Sequence, residues 1–135
     1  MCDYRSRWNN ALTGEACGYF DSLPMIVISG QVRYDTIIHY ALEKNDAKLR
    51  SFGDQEFNIT ESVKNMTKFA ALIKNKNDIS FYLERAYFLS TNGRMRPIWI
   101  DVPVDIQGSI IDTNELKSYF DSDLYIEDKK IYLIL

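Results

Sequence analysis

Leu23-Pro24-Met25-Ile26-Val27-Ile28-Ser29-Gly30-Gln31-Val32, followed downstream by Gly53-Asp54-Gln55-Glu56, decides how this chain is read. Residues 25–29 form an apolar run bounded by Pro24 and Gly30, the pattern of a strand buried in a parallel sheet. The run ends in a small-residue turn and a polar amide, Gln31, and Gln55 supplies a second amide in a later loop. Ligands of open α/β sheets bind outside the carboxyl ends of the strands, so both amides fall where a ligand would sit. A glutamine donates and accepts hydrogen bonds together, which suits holding a planar neutral heterocycle or a carbonyl. On composition alone each reads as an ordinary loop residue ahead of a functional one. No reaction follows from them by themselves.

Outward from this stretch, helices and strands alternate. Asn10 is positioned to cap a helix over residues 10–21, on which Ala11, Gly14 and Gly18 make a small-residue face and Cys17 reads as a small buried residue. Residues 35–42 carry helical spacing, and residues 43–55 read mostly as loop. Asn58 or Thr60 can cap a short helix through Val63, and residues 69–73 read as a second buried strand. Ile79, Tyr82, Leu83, Ala86 and Leu89 mark one face of the clearest helix, opened by Asp78 and closed by Asn92-Gly93. A third strand is predicted from Pro97 to Val102, with its alternation continuing through Val104 and Ile106. This order specifies an α/β fold, a mainly parallel sheet with helices on both faces. Three segments are expected: 1–9, a partial domain over 10–107, and an acidic linker over 108–135 whose apolar end reads as the start of another strand.

The 135 residues allow one domain, and 46% hydrophobic with 26% charged residues is an ordinary globular composition. A net charge of −3 and a pI near 5.1 give no electrostatic reason to expect nucleic acid or an anionic membrane as partner. Two cysteines are too few for a disulfide framework, and the absence of a leader-like segment after Met1 makes the cytoplasm the expected compartment. Apolar runs are far shorter than the roughly 20 residues of a spanning helix. A single histidine, His39, rules out a multi-imidazole zinc site and reads as a surface residue. The six glycines include no Gly-x-Gly-x-x-Gly and no Walker-type loop. Asp54 and Glu56 are the one carboxylate pair beside the presumed cleft.

Several segments together resemble one family. Asn10-Ala11-Leu12-Thr13-Gly14, Asp21-Ser22-Leu23-Pro24, Ile28-Ser29-Gly30-Gln31-Val32, Phe52-Gly53-Asp54-Gln55-Glu56, Met66-Thr67-Lys68-Phe69-Ala70 and Pro97-Ile98-Trp99-Ile100-Asp101-Val102-Pro103 occur in the order and spacing of one domain. That domain is the pyrimidine-binding domain of thiamine-diphosphate-dependent 2-oxo-acid decarboxylases and carboligases of the acetolactate synthase large-subunit type. The resemblance runs from Asn10 to Gln107. It implies an incomplete thiamine-diphosphate-binding fold, with thiamine diphosphate and Mg²⁺ in the intact enzyme and FAD in some members. It also implies a 2-oxo acid as substrate and a homodimer or tetramer as the working assembly. Asn10, Gln31 and Gln55 become cofactor-binding candidates, and Asp54 and Gln55 substrate-facing ones. Asp54 stands where acetolactate synthases usually carry phenylalanine, which leaves room for another 2-oxo acid or acceptor.

The resemblance assigns no catalytic residue and no metal ligand to this chain. The family's activating glutamate lies upstream of its glycine loop, and neither Glu15 nor Glu56 corresponds to it. Arg5-Ser6-Arg7-Trp8-Asn9 do not match that loop. The metal motif of the diphosphate domain does not occur either. The chain therefore reads as a fragment of a carboligase or decarboxylase, a transferase or lyase in the intact enzyme, and inactive alone. The alternatives are a non-catalytic interaction module and one part of a split enzyme.

Overall fold

A computed structural model describes residues 4–44, 53 and 56–132. Its centre is a three-stranded parallel sheet in the order β1-β3-β2, with β1 over Ile26–Gln31, β2 over Phe69–Leu72 and β3 over Ile98–Pro103. The later strand β3 lies in the middle because each crossover returns parallel to a common neighbour. All six of its residues are buried. Its two faces serve two cores. Trp99 packs with Ile59, Val63, Leu12, Val27 and Ala70, whereas Ile98, Ile100 and Val102 pack with Ile73, Ala86, Phe88, Leu89 and Tyr119. Helices cover both faces, as an α/β parallel sheet requires.

On the first face lie α1 (Tyr4–Phe20) and the single-turn α3 (Ile59–Ser62), capped by the Asn58 side chain, which accepts from Glu61 N–H at 3.3 Å. On the other lie α4 (Ile79–Thr91) and α6 (Asp123–Tyr132). After β1, a 3₁₀ turn over Tyr34–Thr36 leads into α2 (Ile38–Lys44). Asn92 closes α4, and Gly93 follows with φ +63°, the left-handed conformation that glycine accepts without strain.

Four expectations are corrected. Asn10 does not cap α1: the backbone is already helical from Tyr4, so the amides after Asn10 find their acceptors in the preceding turn, and the Asn10 side chain is exposed. Cys17 is exposed rather than buried. Of the small-residue face only Gly18 is used, where a Cβ would meet Met25 Cε at 2.9 Å, while Gly14 has nothing within 4 Å. The apolar run of β1 is not covered on both sides, for Ile28 is 61% exposed on an edge strand. A further difference is that the alternation past Val102 does not extend the strand. Pro103 is followed by the short α5 (Val104–Gln107).

Within residues 108–132 a 3₁₀ turn over Thr113–Glu115 precedes α6, and Ile131 and Tyr132 belong to that helix. Tyr119 is fully buried and its hydroxyl donates to Asp128 Oδ2 at 2.9 Å; Arg85 Nε donates to the same oxygen at 3.0 Å. Glu84 accepts from Tyr119 N–H at 2.7 Å and from Ser118 Oγ–H at 2.9 Å. These contacts hold the acidic segment onto α4. Tyr119→Phe should cost about 1–2 kcal/mol in urea unfolding, since it deletes a buried bond to a carboxylate that Arg85 still partners. A neutral outcome would mean that Arg85 alone satisfies Asp128.

Candidate functional site

The strand ends meet in a polar network. Trp99 Nε1–H donates to Ser29 Oγ at 2.7 Å, and the Ser29 hydroxyl donates to Asp101 Oδ1 at 2.5 Å. Gln31 Nε2 donates to Asp101 Oδ2 at 3.0 Å and to the Phe57 carbonyl at 2.8 Å, while its Oε1 accepts from Val32 N–H at 3.0 Å. The register produces this arrangement: Ser29 stands beside Asp101 across the β1–β3 ladder, and Gln31 lies one pleat further on the same face. Asp101 is 1% exposed, and burial pushes its carboxyl up to about 6, against the lowering effect of the Ser29 and Gln31 bonds and of nearby His39.

Beside this network is a cavity of about 10 Å³, the space of a single water molecule. Gln31, His39, Glu56, Asn58, Thr60 and Asp101 contribute its polar lining. His39 is half-buried rather than exposed: its Nε2 is buried and has no hydrogen-bond partner among the described residues. The loop motif is anchored close by. Glu56 accepts from Ile38 N–H, the first amide of α2, and from Gly53 N–H at 3.3 Å. Gly53 itself approaches the 3₁₀ turn ahead of α2 so closely that a Cβ would stand 2.2 Å from the Thr36 carbonyl oxygen.

The sequence-derived candidates therefore separate. Gln31 is buried at the strand end, Asn10 is exposed on α1, and Asp54 and Gln55 lie outside the described residues. Asp101 and His39 were missed. Asp101 read as one more alternating strand position, and only its register against Ser29 and Gln31 gives it a role. Among the described residues no group of His, Cys, Asp and Glu could hold a metal ion. Thiamine diphosphate does not fit the described residues as they stand. Both Gln31 amide hydrogens are engaged, and a one-water cavity does not admit an aminopyrimidine ring. What the site can do chemically is hold a small polar group and, below about pH 6, a proton on Asp101.

Relatives by sequence are clear-cut. The chain is 37% identical over 97 residues to the acetolactate synthase large subunit of Buchnera aphidicola (strain APS) and 34% over 97 residues to the isozyme 3 large subunit of Escherichia coli. It is 36% identical over 98 residues to the chloroplastic acetolactate synthase of Arabidopsis thaliana. These alignments take in 72%, 72% and 73% of this chain. Over that span the chain is acetolactate-synthase-large-subunit-like. It spans 15% of the length of the two bacterial relatives and 13% of the plant enzyme. No protein-family model matches it. This likeness agrees with the parallel β1-β3-β2 sheet between helices. Among the described residues no helix is long and apolar enough to cross a membrane.

Proposed function

We propose that this chain is part of the pyrimidine-binding domain of a thiamine-diphosphate-dependent 2-oxo-acid carboligase or decarboxylase, and that these 135 residues alone do not turn over substrate. Kinship with acetolactate synthases supports the first half. The observation that carries the second is the self-satisfied strand end: Gln31 spends its amide on Asp101, Phe57 and Val32, leaving room for about one water. In the intact assembly, a homodimer or tetramer working in the cytoplasm, thiamine diphosphate would supply the electron sink for decarboxylation of a 2-oxo acid. Mg²⁺ and any FAD would be held by other parts of that assembly. Gln31, once released from Asp101 and Phe57 in that assembly, would face the cofactor with Asn10 and Gln55, and Asp54 and Gln55 would face the substrate.

The test is calorimetric and enzymatic. Thiamine diphosphate with Mg²⁺ is titrated into the purified chain, and CO₂ release from pyruvate and 2-oxobutyrate is followed. Neither saturable heat below about 1 mM nor CO₂ above the blank is expected. Saturable CO₂ release would overturn the inactivity of the chain, and a catalysed reaction on a substrate other than a 2-oxo acid would overturn the assignment. A non-catalytic interaction module is a second reading, favoured by the open edge and exposed Ile28 of β1.

A further inference from the structure

We propose that Asn92-Gly93 is a self-modifying joint, where loss of ammonia from the Asn92 side chain undoes the contact between the ends of α4 and α6. The joint lies at the entry end of the strands, opposite the strand-end network, and is independent of any cofactor.

The turn has the features that the reaction needs. Asn92 is the one asparagine of the chain that precedes glycine, and glycine has no Cβ to keep its nitrogen from the neighbouring carboxamide. Asn92 lies just outside α4, with φ −112° and ψ 145°, and Gly93 is exposed. The Gly93 N–H donates to no acceptor among the described residues. Other asparagines are held back. Asn9 and Asn10 lie within α1, where the helix fixes ψ. Asn58, Asn65, Asn77 and Asn114 each precede an amide that is already bonded. Ile59 N–H donates to Phe57 O at 2.9 Å, Met66 to Val63 at 2.8 Å, Asp78 to Asn75 at 3.1 Å and Glu115 to Asp112 at 3.1 Å.

The chemistry consumes one water and releases one ammonia. The Gly93 nitrogen gives its proton to water and bonds to Asn92 Cγ. The Cγ–Nδ2 bond breaks, ammonia leaves, and a five-membered imide closes. Water then adds to either ring carbonyl, and the C–N bond at that carbonyl breaks. One opening leaves aspartate in the original main chain, and the other leaves isoaspartate, with the main chain running through the former side chain. Nothing is oxidised or reduced.

What the product disturbs is a clasp. Asn92 N–H and Nδ2–H both donate to the Phe88 carbonyl, at 3.1 and 2.8 Å. Lys68 Nζ donates to the carbonyls of Leu89, Asn92 and Arg94, and lies 4.1 Å over the Tyr132 ring of α6. A Cβ on Gly93 would stand 3.2 Å from the Tyr132 carbonyl oxygen, so the two helix ends touch there. Aspartate at 92 turns a charged acceptor toward the Phe88 carbonyl, at the negative end of the helix dipole. Isoaspartate also adds a methylene to the main chain, which shifts Gly93 against Tyr132 and draws the residue 92 carbonyl off Lys68. Ring closure itself must turn the Asn92 carbonyl away from Lys68. Lys68 therefore restrains the reaction and sets its pace.

Ageing the full chain under mildly alkaline conditions tests this by intact mass and peptide mapping. A gain of about 1 Da and one negative charge is expected on the peptide that holds Asn92, with part of the product labelled by isoaspartyl methyltransferase. Asn92→Gln should abolish the gain, and Lys68→Met should speed it at least about threefold. The modified protein, separated by anion exchange, should exchange the Ile131 and Tyr132 amides at least about 10-fold faster, with those of β3 unchanged. If Lys68→Met does not fold, Asn92→Asp should show the same acceleration in α6 without ageing. The proposal is overturned if Asn92 stays intact while the urea-unfolded chain loses half of its Asn92 amide, or if another asparagine reacts first. A Lys68→Met rate no faster than wild type also overturns it, as does a modified protein with unchanged exchange in α6.

Discussion

Asp101→Ala should destabilise the protein by about 3 kcal/mol in urea unfolding at pH 7.5, with the transition remaining cooperative. The side chain is buried in the central strand and accepts from both Ser29 and Gln31. Alanine leaves those two donors, and the Trp99–Ser29 bond behind them, without their common acceptor. Asp101→Asn separates geometry from charge. It keeps an acceptor for Ser29 but turns an NH₂ group toward Gln31 Nε2, donor against donor, so about half the loss should persist. An asparagine variant as stable as wild type would mean that the Gln31 bond contributes nothing. The carboxyl also gives the direction with pH. Its value of about 6 in the fold lies above the ordinary 3.8, so the native state holds the extra proton. This contribution to stability is complete below about pH 4 and is lost as pH rises toward 6. Both variants should lack that step.

Glu15→Leu should have the opposite sign and stabilise the protein by about 2 kcal/mol at pH 7.5. Glu15 is fully buried on the sheet side of α1, between Leu12 and Gly18, and neither carboxylate oxygen has a hydrogen-bond partner among the described residues. Burial raises its carboxyl from 4.5 to about 7. The full shift corresponds to about 3 kcal/mol, and water reaching the group when α1 moves away from the sheet reduces that to about 2. Because the folded value is raised, wild type should lose stability between about pH 4.5 and 7, and Glu15→Leu should not. Glu84 works the other way: bonds from Ser118, Tyr119 and Ser80 overcome its desolvation and lower it, so its contribution fades as pH falls. Equal stabilities of wild type and Glu15→Leu at pH 4.5 and 7.5 would show that the carboxylate is hydrated in the native state.

How much of this was legible beforehand depended on whether a local pattern or a distant partner set the outcome. The three strands and α4 follow from apolar runs and caps within a few residues of one another, and the parallel α/β class follows from their order. Ile28 reads as buried because its own neighbours are apolar. Its exposure is decided by where β1 falls in the sheet, which no local pattern encodes. Asn10 fails as a cap for the converse reason, since residues 4–9 continue the helix ahead of it. Gln31 was legible as a strand-end amide, but its role as a strap depends on Asp101, 70 residues later in the chain. His39 lies in a segment flanked by Asp35 and by Glu43-Lys44, and its half-burial depends on the distant loop that Glu56 ties to the start of α2.

The network that closes the strand end joins two strands of unequal security. Asp101 lies on β3, paired on both edges and covered on both faces, while Gln31 lies on β1, which among the described residues is paired on one edge. Fluctuations that release β1 from β3 are therefore far cheaper than those that open β3 itself. A ligand needing Gln31 and Asp101 together would find its binding form in only a fraction of molecules, and its affinity would be reduced by that fraction. Whatever secures the far edge of β1 thus also sets the affinity of the site, without touching the ligand.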